Sequence, residues 1–488
     1  MSMSEVIIEN KPSSDRSASL PSIAWTDEEL SESKFKDVRL GRRFQELVKQ
    51  LSSHMGESIP LVCQDWANTK AAYRFLSNNR VSEKEILEGH FQTTALRFAA
   101  TTGLVLVLQD TTEFSYKREK PELIGSLNLL KRSPKYGSLQ LYTTCGILMH
   151  SSLVVTTEGL PLGLAAIKFW TRKKFKGTNE LKKKINPTRM PIEEKESVKW
   201  LENLKQSIRL LNNPSRCVHI GDRESDIYEL FCLAQEENTH FVIRTCVDRL
   251  AEDGSYTIIK EMDKIEVKGV HSLKIRNKAG EENDVTFSIK YHYMKILPPI
   301  GKSKKYPALW VTIIHATEQM TPPDREAINW KLITNLPIHS LEDAIEKLQW
   351  YAQRWKIETF HKILKSGCKA ESSKLRTAER LVNLISIFCI LSWRIFWITM
   401  MNRFSSNAPP QIALTKNEIK LLDSFVKKKD SLLKEDVLSH YLIKIARLGG
   451  YLARASDPPP GNMVMWKGMS RLMDIELGFK IALKLVGN

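Results

Sequence analysis

Three short, almost purely apolar runs constrain this chain more than anything else in it: GLVLVLQ at 103–109, CVHIG at 217–221 and FVIRT at 241–245. Each is bounded by helical or turn-forming stretches, the pattern of strands buried on both faces. Residues 195–211 and ESDIYELFCLAQEE (224–237) suit helices, while Leu139 to His150 and Ser152 to Thr157 continue as strands. Alternation of this kind means an α/β core. The first run ends at Asp110 and the second at Asp222, and ligands in such sheets bind beyond the carboxyl ends of the strands. An ordinary structural explanation exists for each aspartate: an Asx turn at Asp110 and a helix cap at Asp222. Taken singly, structure and function account for either residue equally well.

Around this core the chain divides into a polar lead-in at 1–20, a helical region at 21–90, the core at 91–375 and a helical region at 376–488. Within the core, about 250–335 loses the helical period. Runs such as SYTIIK, VTFSIKYHY and ALWVTIIHA take over, which predicts an inserted antiparallel β subdomain. Residues 341–367 then form one long helical pattern ending at Gly367.

The excess of 73 Lys and Arg over 56 Asp and Glu gives a net charge of +17, favouring an anionic polymer as partner, with nucleic acid ahead of a membrane surface. Seven cysteines form no CxxC pair and no zinc-like cluster, so a reducing cytoplasm is expected and a disulfide framework is not. The apolar stretch 381–401 is long enough to suggest a membrane span. Asn383 and Arg394 interrupt it, and a buried core helix is the expectation.

At ~100° per residue, Tyr351, Arg354, Glu358, His361, Lys362 and Lys365 share an arc roughly 100° wide. Ile357, Phe360, Ile363 and Leu364 lie opposite, so the helix packs its back on the core. A surface ion pair between Arg354 and Glu358 would explain part of this. One carboxylate among Arg, His and two Lys also suits a metal ligand surrounded by phosphate-binding cations. Phosphodiester chemistry uses two divalent ions roughly 3.5 to 4 Å apart, and two Asp with one Glu are a minimal hard oxygen set for Mg²⁺, with Mn²⁺ as substitute.

The spacing of Tyr351, Arg354, Glu358 and Lys365 in YAQRWKIETFHKILK resembles the Y-R-E-K motif of bacterial cut-and-paste DDE transposases, the group of the transposon-five transposase and its insertion-sequence relatives. QDTTEFSY around Asp110 and DRESDI around Asp222 resemble that family's two aspartate boxes, in order. AYRFL, KESVKW and IARLGG are further family-like segments, so the resemblance runs from about residue 25 nearly to the C-terminus.

This resemblance implies a ribonuclease-H-like core with a β insertion between the second Asp and the Glu. It implies Asp110, Asp222 and Glu358 as catalytic metal ligands holding two ions per site. The implied reaction sequence is nicking at terminal inverted repeats, hairpin formation, hairpin opening and joining to target DNA. Tyr351, Arg354 and Lys365 match residues that hold the strand complementary to the attacking one, with His361 and Lys362 beside them.

Trp330 matches an aromatic that receives a flipped base, where stacking typically returns ~1 to 3 kcal/mol; without the resemblance it reads as a buried strand residue. Arg244 is a further candidate for a phosphate. Arg39, Arg42 and Arg43 lie in the region that recognises the transposon end in the family; on charge alone they could be a solvated face. The segments 445–452 and 466–472 match its dimerisation region, implying a homodimer in a synaptic complex on double-stranded DNA.

The basic segment 171–189 is longer than its family counterpart, and Thr359 and the PPPG run at 458–461 also depart from the pattern. The alternatives are a ribonuclease-H-like nuclease or resolvase, which stops at hydrolysis, and an inactive DNA-binding transposition inhibitor.

Overall fold

The described residues begin with helices: α1 (Trp25–Glu29), α2 (Val38–Ser53), α3 (Ile59–Cys63), α4 (Trp66–Leu76) and α5 (Glu83–Ala99). The residues that start them are polar side chains able to satisfy otherwise unpaired backbone donors. Asp37 and Asp65 accept from the N–H groups of Arg39 and Asn68, and Ser82 with Glu85 forms a capping box. Phe44 of α2 and Phe75 of α4 stack with ring centroids 6.0 Å apart. The computed structural model describes residues 25–131, 141–172, 190–276, 282–321, 326–404, 407–425 and 437–486. The lead-in at 1–20 and residues 173–189 of the basic segment lie outside these.

The α/β core follows as β1 (Val105–Tyr116), β2 (Ser126–Lys131), β3 (Leu141–Thr156), β4 (Pro161–Trp170), α6 (Val198–Leu211), β5 (Cys217–Gly221), α7 (Tyr228–Glu236) and β6 (His240–Arg244). The order across the sheet is β4-β3-β1-β5-β6, with β2 also on β3. β1, β5 and β6 are parallel, and β3 runs antiparallel to β1 and β4. The three apolar runs are thus the parallel centre of the sheet, covered on one face by α6 and α7.

Two strand boundaries differ from expectation. The segments expected as separate strands after residue 139 form one long β3, and β1 runs past Asp110 to Tyr116 because β3 pairs with it along its whole length.

The expected β insertion contains β7 (Leu250–Ala251), β8 (Tyr256–Thr257), α8 (Ile258–Asp263), β9 (Gly269–Arg276), β10 (Glu282–Ile296), β11 (Leu309–Glu318) and β12 (Asn329–Thr334). Its strands are antiparallel, but they do not form a separate body. β12 pairs with the open edge of β6 through Leu332↔Arg244, Ile333↔Ile243 and Thr334↔Val242, continuing the core sheet to 12 strands among the described residues. An edge strand left unpaired exposes a row of donors and acceptors, and the insertion covers it.

The expected single helix at 341–367 is interrupted. α9 (Leu341–Ala352) and α10 (Trp355–Lys362) are separated at Gln353 and Arg354, and a π-helical turn covers Ile363–Gly367. At the break, Gln353, Arg354, Lys356 and Ile357 each donate to the carbonyl three residues back, the tighter 3₁₀ pattern. Gln353 and Lys356 also reach across to the β3–β4 turn, with Lys356 Nζ 2.9 Å from the Gly159 carbonyl oxygen.

α11 (Ala378–Phe404), α12 (Lys416–Phe425), α13 (Leu438–Leu448) and α14 (Asn462–Val486) complete the fold. α11 contains the apolar stretch and is a core helix packed on α5, β4, α13 and α14. The polar residues that interrupt it anchor its neighbours: Asn383 donates to the Leu76 and Val81 carbonyls, and Arg394 to that of Ala413.

The segment IARLGG also has an intrachain role. A Cβ on Gly449 would lie 1.9 Å from the Val464 oxygen and one on Gly468 would lie 1.8 Å from the Ile445 oxygen, so these glycines let α13 and α14 touch. Ile445, Ala446, Met469 and Leu472 are buried in this packing.

A buried polar cluster joins the N-terminal helices to the core. Glu29 of α1 accepts from Arg97 Nη1 and Nη2 at 2.8 and 3.0 Å and from His90 Nδ1 of α5. His90 Nε2 accepts from the Leu164 N–H of β4, so the imidazole is neutral with its proton on Nδ1. Burial alone would raise the Glu29 pKa, but the hydrogen bond from His90 and the hydrogen bonds and charge of Arg97 outweigh it and hold the carboxyl below its ordinary range. Arg97 also lies 4.1 Å from the Trp393 ring centroid of α11.

Removing Glu29 leaves the Arg97 charge uncompensated, at a typical cost of about 3–5 kcal/mol. Glu29→Ala is expected to lower unfolding free energy on that scale in urea titration. Because the folded pKa lies below the ordinary 4.5, this contribution is present above about pH 4.5 and fades as pH falls through the folded value. The wild-type and variant curves should therefore converge in acid.

Candidate active site

The parallel register of the central strands assembles the site. Leu108 of β1 lies opposite Ile220 of β5, where that ladder ends; two residues further on stand Asp110, still within β1, and Asp222, just past the end of β5. β1 continues on its β3 side, so Asp110 belongs to the strand and makes no Asx turn, with Ser151 as its cross-strand partner. Asp222 does cap the following turn, accepting from the Glu224 N–H at 2.9 Å through Oδ1. That bond uses one of its oxygens, so capping and ligation are compatible. Gly221 precedes it because a Cβ there would fall 2.1 Å from Ser225 Oγ.

α10 lays the third carboxylate over these two. Asp110 feels the charges of both Asp222 and Glu358. Burial, set against the lowering effect of Arg354 and a Thr111 backbone hydrogen bond, combines with those neighbours to raise the Asp110 carboxyl to about 7. Glu358 is 54 % exposed and ion-paired to Arg354, whose side chain is 21 % exposed. Among the described residues, no three His, Cys, Asp or Glu side chains stand at common ligating distance. The donor set nevertheless fits a divalent cation: hard oxygens only, mutually repulsive, with one strongly desolvated.

Tyr351 is buried and within electrostatic reach of Arg354, Arg244 and Asp222. Arg244, at the end of β6, also donates to the Asn329 carbonyl at 3.0 Å. The structure therefore brings together Asp110, Asp222, Glu358, Tyr351, Arg354 and Arg244. Lys365, on the π turn, lies 5.7 Å from the Phe114 ring centroid of β1, and Lys362 is exposed.

Other expected contacts are placed differently. His361 is buried, and burial together with the Lys365 and Arg354 charges holds its pKa down at about 3. It is a neutral imidazole turned inward, not a cation facing DNA. Its Nε2 is 2.9 Å from Ser151 Oγ and its Nδ1 is 3.7 Å from Asp110 Oδ2. Trp330 is 8 % exposed, stacked on Phe287 at 5.6 Å and met edge-on by Tyr351 at 5.0 Å, the packing of a core strand residue.

In the N-terminal helices, Arg43 ties α2 to α4 through Asn68 Oδ1 and the Asn68 carbonyl. Arg39 pairs with Asp37 at 3.2 Å on the surface. Arg42, Lys70 and Arg74 face solvent with Trp66, which is 77 % exposed.

Sequence reasoning missed two supports. Asp226 Oδ2 accepts from Thr245 Oγ1, Cys246 N and Val247 N at 2.7 to 2.8 Å, while Arg249 meets Oδ1, fixing the loop after β6. Its signal was the second Asp of DRESD. On the opposite face of β1 from Asp110, Thr111, His150, Gln109 and His219 form a buried hydrogen-bonded chain. Burial depresses both histidines, and no local motif marks this chain.

The raised pKa gives a stability signature. The folded value of about 7 exceeds the ordinary 3.8, so the folded state loses stability as pH rises through that interval. In metal-free buffer, Asp110→Asn is expected to melt above wild type at pH 8, with the difference shrinking as pH falls toward 4.

Residues 22–81 match the family model for transposase DNA-binding domains, and residues 201–393 match that for the transposase DDE domain. The first covers α1 to α4; the second covers Asp222, the β insertion and Glu358, implies a ribonuclease-H-like core and begins after Asp110. DDE transposases use divalent metal ions. With a DNA-binding domain and a catalytic DDE domain of this kind in one polypeptide, the chain is an enzyme of the DDE transposase class.

Proposed function

We propose that this transposase performs cut-and-paste transposition, with Asp110, Asp222 and Glu358 as the ligands of two Mg²⁺ ions, for which Mn²⁺ substitutes. The observation that carries this reading is the register Leu108↔Ile220, together with the Asp222 and Glu358 charges that act on Asp110 at the end of that ladder. The ions supply an activated attacking oxygen and a stabilised leaving oxygen.

Around them the chain's own residues hold the DNA. Arg354 is poised to exchange Glu358 for a phosphate, and Tyr351 and Arg244 lie within electrostatic reach of each other beside Asp222. Lys362 and Lys365 extend the cationic edge. In this reading one site nicks the terminal inverted repeat, forms and opens a hairpin and joins the freed end to target DNA, in the cytoplasm of a bacterium. A flipped base reaches the face of Trp330 only if Phe287 or Tyr351 moves, because both rings pack against it.

The N-terminal helices recognise the transposon end through Arg42, Lys70, Arg74 and Trp66, with Arg39 at the margin. A homodimer is supported less by 445–452 and 466–472, whose apolar side chains are largely used within the chain, than by the exposed Leu477, Phe479, Ile481, Leu483 and Leu485 of α14.

With Mg²⁺ and a duplex carrying the cognate inverted repeat, Asp110→Ala, Asp222→Ala and Glu358→Ala are each expected to reduce strand nicking by at least about 10²–10³-fold, the scale of losing one preorganised electrostatic group. Circular dichroism should remain wild-type. Undiminished nicking in any one variant removes that residue from the triad.

Arg42→Ala is expected to weaken end binding while lowering the slope of log affinity against log salt by roughly one. A slope equal to wild type in fluorescence anisotropy would take Arg42 out of the interface.

A further inference from the structure

His361 is three residues beyond Glu358 on α10, yet it faces inward. Its ring bridges the two strands that flank Asp110's position: Nε2 meets Ser151 Oγ of β3 at 2.9 Å, and Nδ1 points to Asp110 Oδ2 of β1 at 3.7 Å. Ser151 and Asp110 are cross-strand partners, so their side chains lie on the same face and one ring spans both. A neutral imidazole has one N–H and one lone pair. When Ser151 donates its hydroxyl proton to Nε2, the imidazole N–H is on Nδ1, directed at the carboxylate. The 3.7 Å separation lies just outside hydrogen-bonding range, so a small approach closes it.

We propose that His361 is a positioning residue whose Nδ1–H closes onto Asp110 Oδ2 and thereby presents Oδ1 to a divalent cation. The inference rests on the triad reading above. Outer groups that hydrogen-bond a metal-ligating side chain typically change metal affinity about 10- to 100-fold when removed. Ser151 selects the tautomer, and the rigid β1–β3 pairing holds it in place.

The test is Mn²⁺ binding to the full-length chain without DNA, followed by calorimetry or the paramagnetic resonance of free Mn²⁺. His361→Asn keeps an amide N–H near the Nδ1 position; His361→Gln moves it to the Nε2 position, where it can serve only Ser151. The Asn variant is expected to bind Mn²⁺ within about threefold of wild type and the Gln variant about 10- to 100-fold more weakly.

Equal affinity in wild type and both variants, or equal loss in both, overturns the proposal, because neither pattern depends on where the N–H sits. Ser151→Ala probes the same tautomer without altering α10 and is expected to weaken Mn²⁺ binding severalfold; unchanged affinity also overturns it. Asp110→Ala separates this inference from its foundation. If that variant still binds Mn²⁺ as wild type does, the triad assignment fails; if it loses binding while His361→Gln does not, only the positioning role fails.

Discussion

The parallel pairing of β1 with β5 is the constraint on which the rest of the active site depends. Backbone hydrogen bonds between two buried strands set a register that a one-residue slip would invert. With Leu108 opposite Ile220, Asp110 and Asp222 emerge side by side. Everything else about the site adjusts to that: the glycine before Asp222, the cap on the following turn, and the approach of α10 from above. The β insertion preserves the arrangement by pairing with the edge of β6, so Arg244 and Trp330 are positioned by the same sheet.

Placing carboxylates together in a partly desolvated position is unfavourable for the metal-free protein, as the raised Asp110 pKa records. Two features moderate it. Arg354 supplies a positive charge among the carboxylates, and the polar groups beneath β1 form a neutral hydrogen-bonded network. Neutral histidines satisfy buried donors and acceptors without adding charge beneath the carboxylates. The break between α9 and α10 belongs to the same design: its 3₁₀ bonds and its grip on the β3–β4 turn orient the turn of helix that carries Glu358.

Outside the site, polar residues buried among apolar helices join the parts of the molecule. Glu29, His90 and Arg97 connect α1, α5 and β4, while Asn383 and Arg394 extend from α11 to its neighbours. The N-terminal DNA-binding domain is thereby packed directly against the catalytic core through side chains whose loss would expose unpaired charge.

The sequence alone determined the α/β core, the helical N-terminal region, the identity of α11 as a buried helix and the candidate carboxylates, because buried strands, caps and spaced helical residues leave local periodic signals. Tertiary structure decided what local pattern cannot specify. A helical wheel treats 351–365 as one uniform face; the 3₁₀ break and the π turn change that face, and contact with Ser151 turns His361 inward. Arg43 has the composition of a DNA contact but is used by Asn68. Trp330 has the hydrophobicity of either a core or a stacking residue, and its neighbours Phe287 and Tyr351 come from distant parts of the chain. Asp110 and Asp222 are separated by more than a hundred residues, and only strand register, a property of hydrogen bonds between segments, brings them to one site.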